Sequence, residues 1–310
     1  MKKHNIFLFT FLLILCCGCT KDKINSSGCT ELEKPSGIHF EIFYENKLPY
    51  YYYPCFNPNN SSEIVFIRAD GLDTTRLFKI DLITKEKVEI FKGFINSRPR
   101  WSKKDWIIFG LQDFNVYKIK SNGDSLTQLT VSGNSFGPEW NKEGDLFIYE
   151  EGYTSPVRGI VCETDGTVID TIVGGGAYSP SWQHDSLIAH SNPLEVFTIN
   201  PITHEIKTVF EVIDDRGNSG GVEWIDNETI IWSYQKGIFT TNINTKETIY
   251  LKESCDAKLY VFPTYSPQSG KIIYQRIDKY QRGEDAGKAI SKLYIMNSDA
   301  TGEEEIEIPE

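Results

Sequence analysis

Two arginines and two glutamates, Arg98, Arg100, Glu139 and Glu223, stand just before the aromatic residues of a recurring stretch of this sequence. Arg100, Glu139 and Glu223 each come directly before a tryptophan, Trp101, Trp140 and Trp224, and Arg98 lies two residues before Arg100. Ser181 and Thr264 occupy the same place before Trp182 and Tyr265. Equivalent positions of a repeat come to one level of a repeated fold, so these groups are expected to converge. Such a mixed ring has two chemical uses. Its arginines can grip a ligand carboxylate through charge-assisted N–H donors. Alternatively, the charges can pair with one another between repeats. Glu139 and Glu223 could also work as paired acids on a glycosidic bond, but that requires a short defined separation, which spacing along the chain does not supply.

Other candidate chemistry is thinner. Gly217-Asn218-Ser219-Gly220-Gly221 resembles the Gly-Asp-Ser-Gly-Gly around a serine-protease nucleophile, with Asn218 in place of the acid. No Ala-Ala-His-Cys partner segment accompanies it, and a nucleophile needs a base positioned against it. No catalytic residue is assigned. The five histidines are scattered, none at ligand spacing from a cysteine or another histidine, so neither zinc nor another cofactor is expected. His184 and His190, in one repeat, are the only histidine hint of a site at a channel mouth. Of seven cysteines, Cys162 reads as a small buried apolar residue, and a Cys29–Cys55 bridge is one option for tying the front of the chain to the first repeat.

The elements that must position these residues follow from the repeat itself. Its signature is proline, any residue, then an aromatic: Pro54-Cys55-Phe56, Pro99-Arg100-Trp101, Pro138-Glu139-Trp140, Pro180-Ser181-Trp182 and Pro263-Thr264-Tyr265. Val222-Glu223-Trp224 keeps the aromatic without the proline. The aromatics are spaced by 45, 39, 42, 42 and 41 residues, a step that marks a propeller blade of four strands. Strand A ends at the aromatic and a polar turn follows. Strand B is then an unbroken apolar run, as at 64–67, 106–109 and 272–274, which suits burial on both faces. Strand C alternates, as at 77–80 and 293–296, and strand D is more charged, as at 88–90 and 306–308. The fold expected is all-β: a six-bladed β-propeller with four antiparallel strands per blade. Its blades cover roughly 48–93, 94–132, 133–174, 175–213, 214–253 and 254–310 within one domain, 38–310. Residues 38–44 alternate like a further strand, expected at the seam of the ring or over one of its ends.

The front of the chain reads as an anchor. A short basic start, Lys2-Lys3, precedes an apolar run over 6–15, too short to span a bilayer but suited to a signal peptide. Cys16-Cys17-Gly18-Cys19 follows. It resembles a bacterial lipoprotein box, which implies a signal peptide over 1–18 and acylation of Cys19. Residues 19–37 read as a flexible tether. Lys21-Asp22 resembles the surface-export signal of some Bacteroidetes lipoproteins. The net charge of −11 becomes more negative once Lys2 and Lys3 leave. That charge repels phosphate backbones, so no nucleic-acid partner is expected, and membrane contact is expected through the lipid alone. Hydrophobic residues make up 40% and charged residues 24%, an ordinary composition for a chain with a large core. A monomer is expected.

The repeats also resemble a known family. A Pro-x-Trp-Ser turn, an apolar strand, a Leu-Tyr-x-Met strand and a Leu-Thr ending are similar to the WD40-like (PD40) repeat of TolB-type propellers. Pro99 to Thr130 carries the best copy, with Trp101-Ser102, Val116-Tyr117, Asn122-Gly123 and Leu129-Thr130, and Leu293-Tyr294-Ile295-Met296 is another. The resemblance covers about 48–310 and implies a propeller of the cell envelope that serves as a protein- or peptide-binding or assembly platform. With the lipid anchor, it is expected at the outer membrane, on the periplasmic or surface side. A glycan-binding or glycan-cleaving propeller, with its site at one channel mouth, is the alternative. Loops D–A and B–C share the face where strand A begins, and several are rich in glycine, as at 133–137, 174–176 and 217–221. The longest of them, 278–291, holds Arg282 as a candidate ligand contact.

Overall fold

The computed structural model describes residues 48–71, 74–152, 157–173, 180–184, 186–191, 195–211, 221–234, 237–254, 258–279 and 288–310. The described residues contain strands and turns but no helix, and they form a β-propeller of six blades. The first blade holds β1 (Tyr50–Asn57), β2 (Asn60–Ala69), β3 (Thr75–Asp81) and β4 (Lys87–Gly93). The second holds β5 (Arg100–Trp101), β6 (Trp106–Gly110), β7 (Val116–Lys120) and β8 (Thr127–Gln128). The third holds β9 (Ser135–Trp140), β10 (Leu146–Glu151), β11 (Arg158–Glu163) and β12 (Val168–Val173). The fourth holds β13 (Ile188–Ser191), β14 (Glu195–Ile199) and β15 (Ile206–Glu211). The fifth holds β16 (Val222–Trp224), β17 (Thr229–Tyr234), β18 (Gly237–Asn242) and β19 (Thr248–Glu253). The sixth holds β20 (Lys258–Ser266), β21 (Lys271–Lys279), β22 (Ala289–Asn297) and β23 (Glu304–Glu305). Within every blade the strands pair antiparallel in chain order.

The second strand of a blade is buried on both faces because each face meets a different neighbour. Ile64 and Phe66 of β2 pack with Ile273 and Leu293 of the sixth blade. Val65 and Ile67, pointing the other way, pack with Ile107 and Phe109 of the second. Each such side chain stabilises the ring by roughly 1.5–3 kcal/mol on burial, and the gain requires both neighbouring blades. The fourth strands form the outer edge. There Val168, Ile249 and Tyr250 are exposed.

Turns between the third and fourth strands are built by one local rule in blades one, four and five. Asp81, Asn200 and Asn242 each accept, through Oδ1, the backbone N–H groups two and three residues on, at 2.8–3.0 Å. The fifth residue of each turn, Lys85, His204 or Lys246, has φ of 59–63°. Short polar side chains that bond their own backbone make such turns.

Among the described residues the fourth blade shows three strands, with a bridge between Ser181 and Ala189 at its inner edge. The N–H groups of that pair exchange bonds of 2.8 and 2.9 Å, and residues 174–179 before it lie outside the described residues. One strand departs from expectation. In the sixth blade the outer strand is Glu304–Glu305 rather than 306–308. Lys252 and Tyr274 hold Glu303, and Lys292 and Tyr294 hold Glu305. Ile306 instead turns into the core.

Among the described residues, the seam between the last and first blades is closed by side chains. Ser291 Oγ donates to the Tyr51 carbonyl, Gln275 Nε2 reaches Tyr50, and Gln268 Nε2 donates to the Pro58 carbonyl at 2.8 Å. Residues 38–44 lie outside the described residues.

Candidate functional site

The first strand of each blade lines the axis, and the residue before its signature aromatic sets one level of the channel. At that level stand Cys55, Arg100, Glu139, Ser181, Glu223 and Thr264, one from each blade, and each of them is buried. Arg100 of the second blade donates through Nε to Glu139 of the third. Through Nη1 it reaches Glu223 Oε2 of the fifth blade at 2.9 Å. Second and fifth blades are opposite one another in a ring of six, so this bond spans the axis. Thr264 Oγ1 of the sixth blade donates to Glu223 Oε1 at 3.1 Å. Gln183 Nε2 donates to Glu139 Oε1 at 3.3 Å. The charged side chains are 1–6% exposed and occupy the axis at this level.

Two residues earlier along the strand comes a second level, nearer the loops. Arg98 lies there with Tyr53 and Phe262, the Tyr53 and Phe262 rings meeting edge to face at 4.5 Å. The Arg98 guanidinium lies 5.7 Å from the Phe262 ring centre. Its Nη2 donates to the Pro263 carbonyl at 3.3 Å and is 3.6 Å from Glu223 Oε2. Tyr53 and Phe262, both just before a proline, have φ of 54°, a region bulky residues seldom adopt. The ladder is irregular in both strands there. Gly137 and Gly221 hold the equivalent places in blades three and five, with φ of 52° and 92°.

Burial governs the electrostatics. It pushes the Glu139 carboxyl up to about 7, outweighing the attraction of Arg100, with Glu223 adding to the rise. Burial and then the neighbouring Arg100 lower Arg98 to about 10, which leaves it charged at neutral pH. Arg100 moves upward because its two carboxylate partners outweigh its own desolvation. Arg100, Glu139 and Glu223 satisfy one another and are built to hold blades together. The remaining binding capacity sits at Arg98.

The structure therefore brings Arg98, Arg100, Glu139 and Glu223 together. Arg282 and Cys19 lie outside the described residues, as do Cys29 and residues 217–220 of the Gly-Asn-Ser-Gly-Gly segment. Cys55 carries a free, buried thiol, which burial pushes up to about 11. Among the described residues, the histidines do not join the channel set. His184 Nδ1 accepts the N–H groups of Ser186 and Leu187 at 2.9 and 3.0 Å. Its other nitrogen therefore carries the proton and donates to the Asn227 carbonyl at 3.0 Å. His190 is fully buried and stacks on Phe197 at 5.3 Å. Burial drops its imidazole to about 3.

Reasoning from sequence passed over two features. Gly133-Asn134-Ser135-Phe136-Gly137 fits the Gly-x-Ser-x-Gly spacing of a nucleophile turn. Ser135, however, opens a β-strand, is fully buried and pairs with Ser132 at 3.1 Å, so the strand-to-helix setting of such a nucleophile is missing. The aromatic pair Tyr53 and Phe262 was also missed. The signal available was an aromatic directly before the signature proline in the first and last repeats alone.

No family model matches the chain, and no curated relative matches it. Solved structures do. A protein assigned as TolB from Agrobacterium tumefaciens is 11% identical, with a TM-score of 0.59 over 76% of this chain and 88% of that one. A nidogen/laminin complex matches at 10% identity and a TM-score of 0.53 over 64% of this chain and 78% of that one. The β-propeller domain of the trilobed protease from Pyrococcus furiosus, described as having an open velcro topology, is 10% identical, with a TM-score of 0.55 over 84% and 96%. Likeness at such identities speaks for architecture alone, and the architecture is that of a TolB-like β-propeller.

Proposed function

We propose that this chain is a lipid-anchored propeller of a bacterial envelope, a single domain over 38–310 that binds a protein or peptide partner through the face carrying its D–A and B–C loops. One observation carries the reading: Arg100 meets Glu223 across the axis at 2.9 Å. The charges of Arg100, Glu139 and Glu223 are thereby spent on holding blades together, and the loops at the mouth are left as the recognition surface. Two of these loops, around residues 111–115 and 131–135, are tied to one another. The Ser135 N–H donates to the Phe114 carbonyl at 2.8 Å, and Gly133 N–H to Asn115 Oδ1 at 2.9 Å. A propeller in the nidogen/laminin complex supports the general use of this architecture in protein assembly. The glycan alternative asked for histidines and arginines converging at one mouth, whereas His184 is occupied with its own turn and with Asn227. Cys19 would carry the lipid.

Site-specific photo-crosslinkers in cells test this. One at Phe114, on the loop face, is expected to trap a discrete partner, and one at Ile83, on the opposite face, is expected to trap none. Equal trapping from both positions, or none from Phe114, would overturn the reading. Mass analysis of the mature N-terminus is expected to find acyl chains on Cys19.

A further inference from the structure

The guanidinium of Arg98 is buried with donors to spare. Its Nε and Nη1 make no hydrogen bond, although only 6% of the residue is exposed. Buried polar atoms are nearly always satisfied, and a buried cation with unmet donors is costly. Neighbouring groups cannot supply the need. Glu223 Oε2 already accepts from Arg100 at 2.9 Å and stays 3.6 Å from Arg98 Nη2, while Glu223 Oε1 accepts from Thr264. Glu139 is taken by Arg100 and Gln183.

The surroundings favour a small anion rather than a further side chain of this protein. Tyr53 and Phe262 stand beside Arg98, while the equivalent places in the third and fifth blades are Gly137 and Gly221. Among the described residues, one side of this level is therefore walled by rings, and the places in blades three and five carry no side chain. The hub of Arg100, Glu139 and Glu223 lies one level deeper and forms a floor. Tyr53 and Phe262 are also held at φ of 54°, and backbone outliers of this kind gather at ligand sites.

We propose that Arg98 receives a carboxylate entering from the loop mouth, carried by the partner as a chain terminus or an acidic side chain. A carboxylate would accept from the donors that the fold leaves unmet, flanked by aromatic walls. The source of the carboxylate rests on the platform reading, whereas the site itself does not.

The test uses the full chain in detergent, titrated at constant ionic strength. The probes are sodium acetate, Gly-Gly-Phe with a free terminus, the same peptide as its amide, and N-acetyl-aspartate amide. The expected result is saturable binding of acetate with a shift of the Arg98 Nε–H resonance, weakened at least about tenfold in Arg98→Gln. Arg98→Lys, which keeps the charge, is expected to retain part of the affinity and guards against a misfolded Gln variant. Binding of Gly-Gly-Phe but not its amide assigns the site to chain termini, and binding of N-acetyl-aspartate amide assigns it to acidic side chains. No saturable binding by any carboxylate, or equal binding in Arg98→Gln, would sink the site. Loss of crosslinking at Phe114 with acetate binding intact would instead defeat the platform reading and leave the site standing.

Discussion

The hub on the axis and the buried imidazole of the fourth blade both place polar groups out of reach of water, yet they settle the cost in opposite ways. In the hub Arg100 answers two carboxylates, and Thr264 and Gln183 occupy their remaining oxygens. His190 lies on the same face of β13 as Ile188, which packs on Ile148 and Val161 of the third blade. Both its ring nitrogens are unpaired, as is the hydroxyl of the adjacent Ser191. The hub keeps its charges by pairing them. His190 stays buried by remaining neutral, with Phe197 stacked against it. A paired buried charge binds blades together only while every partner remains, whereas an unpaired neutral group is a standing penalty that removal relieves.

The largest effect should come from breaking the hub asymmetrically. Arg100→Ala leaves two buried carboxylates without their cation and is expected to cost about 3–5 kcal/mol in urea unfolding. Replacing the set together, with Arg100→Met, Glu139→Leu and Glu223→Leu, should cost less than Arg100→Ala alone. If the single variant is the milder one, the hub does not hold the ring.

Acidity separates the two regions next. The His190 imidazole is held at about 3 in the folded chain against an ordinary value of 6.5. Between those values the unfolded chain binds the extra proton, so stability falls as pH drops, by about 1.4 kcal/mol per unit at the steepest. Glu139 works the other way, because its folded value of about 7 lies above the ordinary 4.5. Between 4.5 and 7 the folded chain holds the extra proton, so this group's contribution falls as pH rises. The two oppose each other from pH 4.5 to 6.5, and unfolding of the native chain should change little over that window. His190→Leu should unmask a decline toward neutral pH, and Glu139→Gln a decline toward acid. Parallel profiles for the two variants would refute the contrast.

At fixed neutral pH, His190→Leu should raise stability by about 1 kcal/mol, since the unpaired ring nitrogens are removed. The smallest effect concerns how neighbouring blades are stitched. Trp224 Nε1 donates to the Ser181 carbonyl at 3.0 Å, and Trp224→Phe should cost about 1 kcal/mol. Trp140 makes no such bond, so Trp140→Phe should lose only packing. Calorimetric unfolding of the pair gives the difference.

Much of this was legible in the chain itself because the causes are local. Near-constant spacing of the aromatics set the number of blades. Asp81, Asn200 and Asn242 signalled turns by bonding their own backbone. The apolar runs of the second strands predicted burial on both faces, which Ile64 to Ile67 show. Equivalence of position also puts Arg100, Glu139 and Glu223 at one level. What stayed hidden depended on which groups meet across space. The outer strand of the sixth blade was misplaced because Lys252, Tyr274, Lys292 and Tyr294 hold acids that looked solvent-bound.

Sequence by itself determined a ring of repeats and the residues that share each level, since periodicity and turn chemistry act between near neighbours along the chain. Tertiary structure alone decided that Arg100 would reach across the axis to Glu223, and that Arg98 would be left with unused donors. Those outcomes are settled by distances between blades more than a hundred residues apart, where a change of one ångström decides whether a hydrogen bond exists.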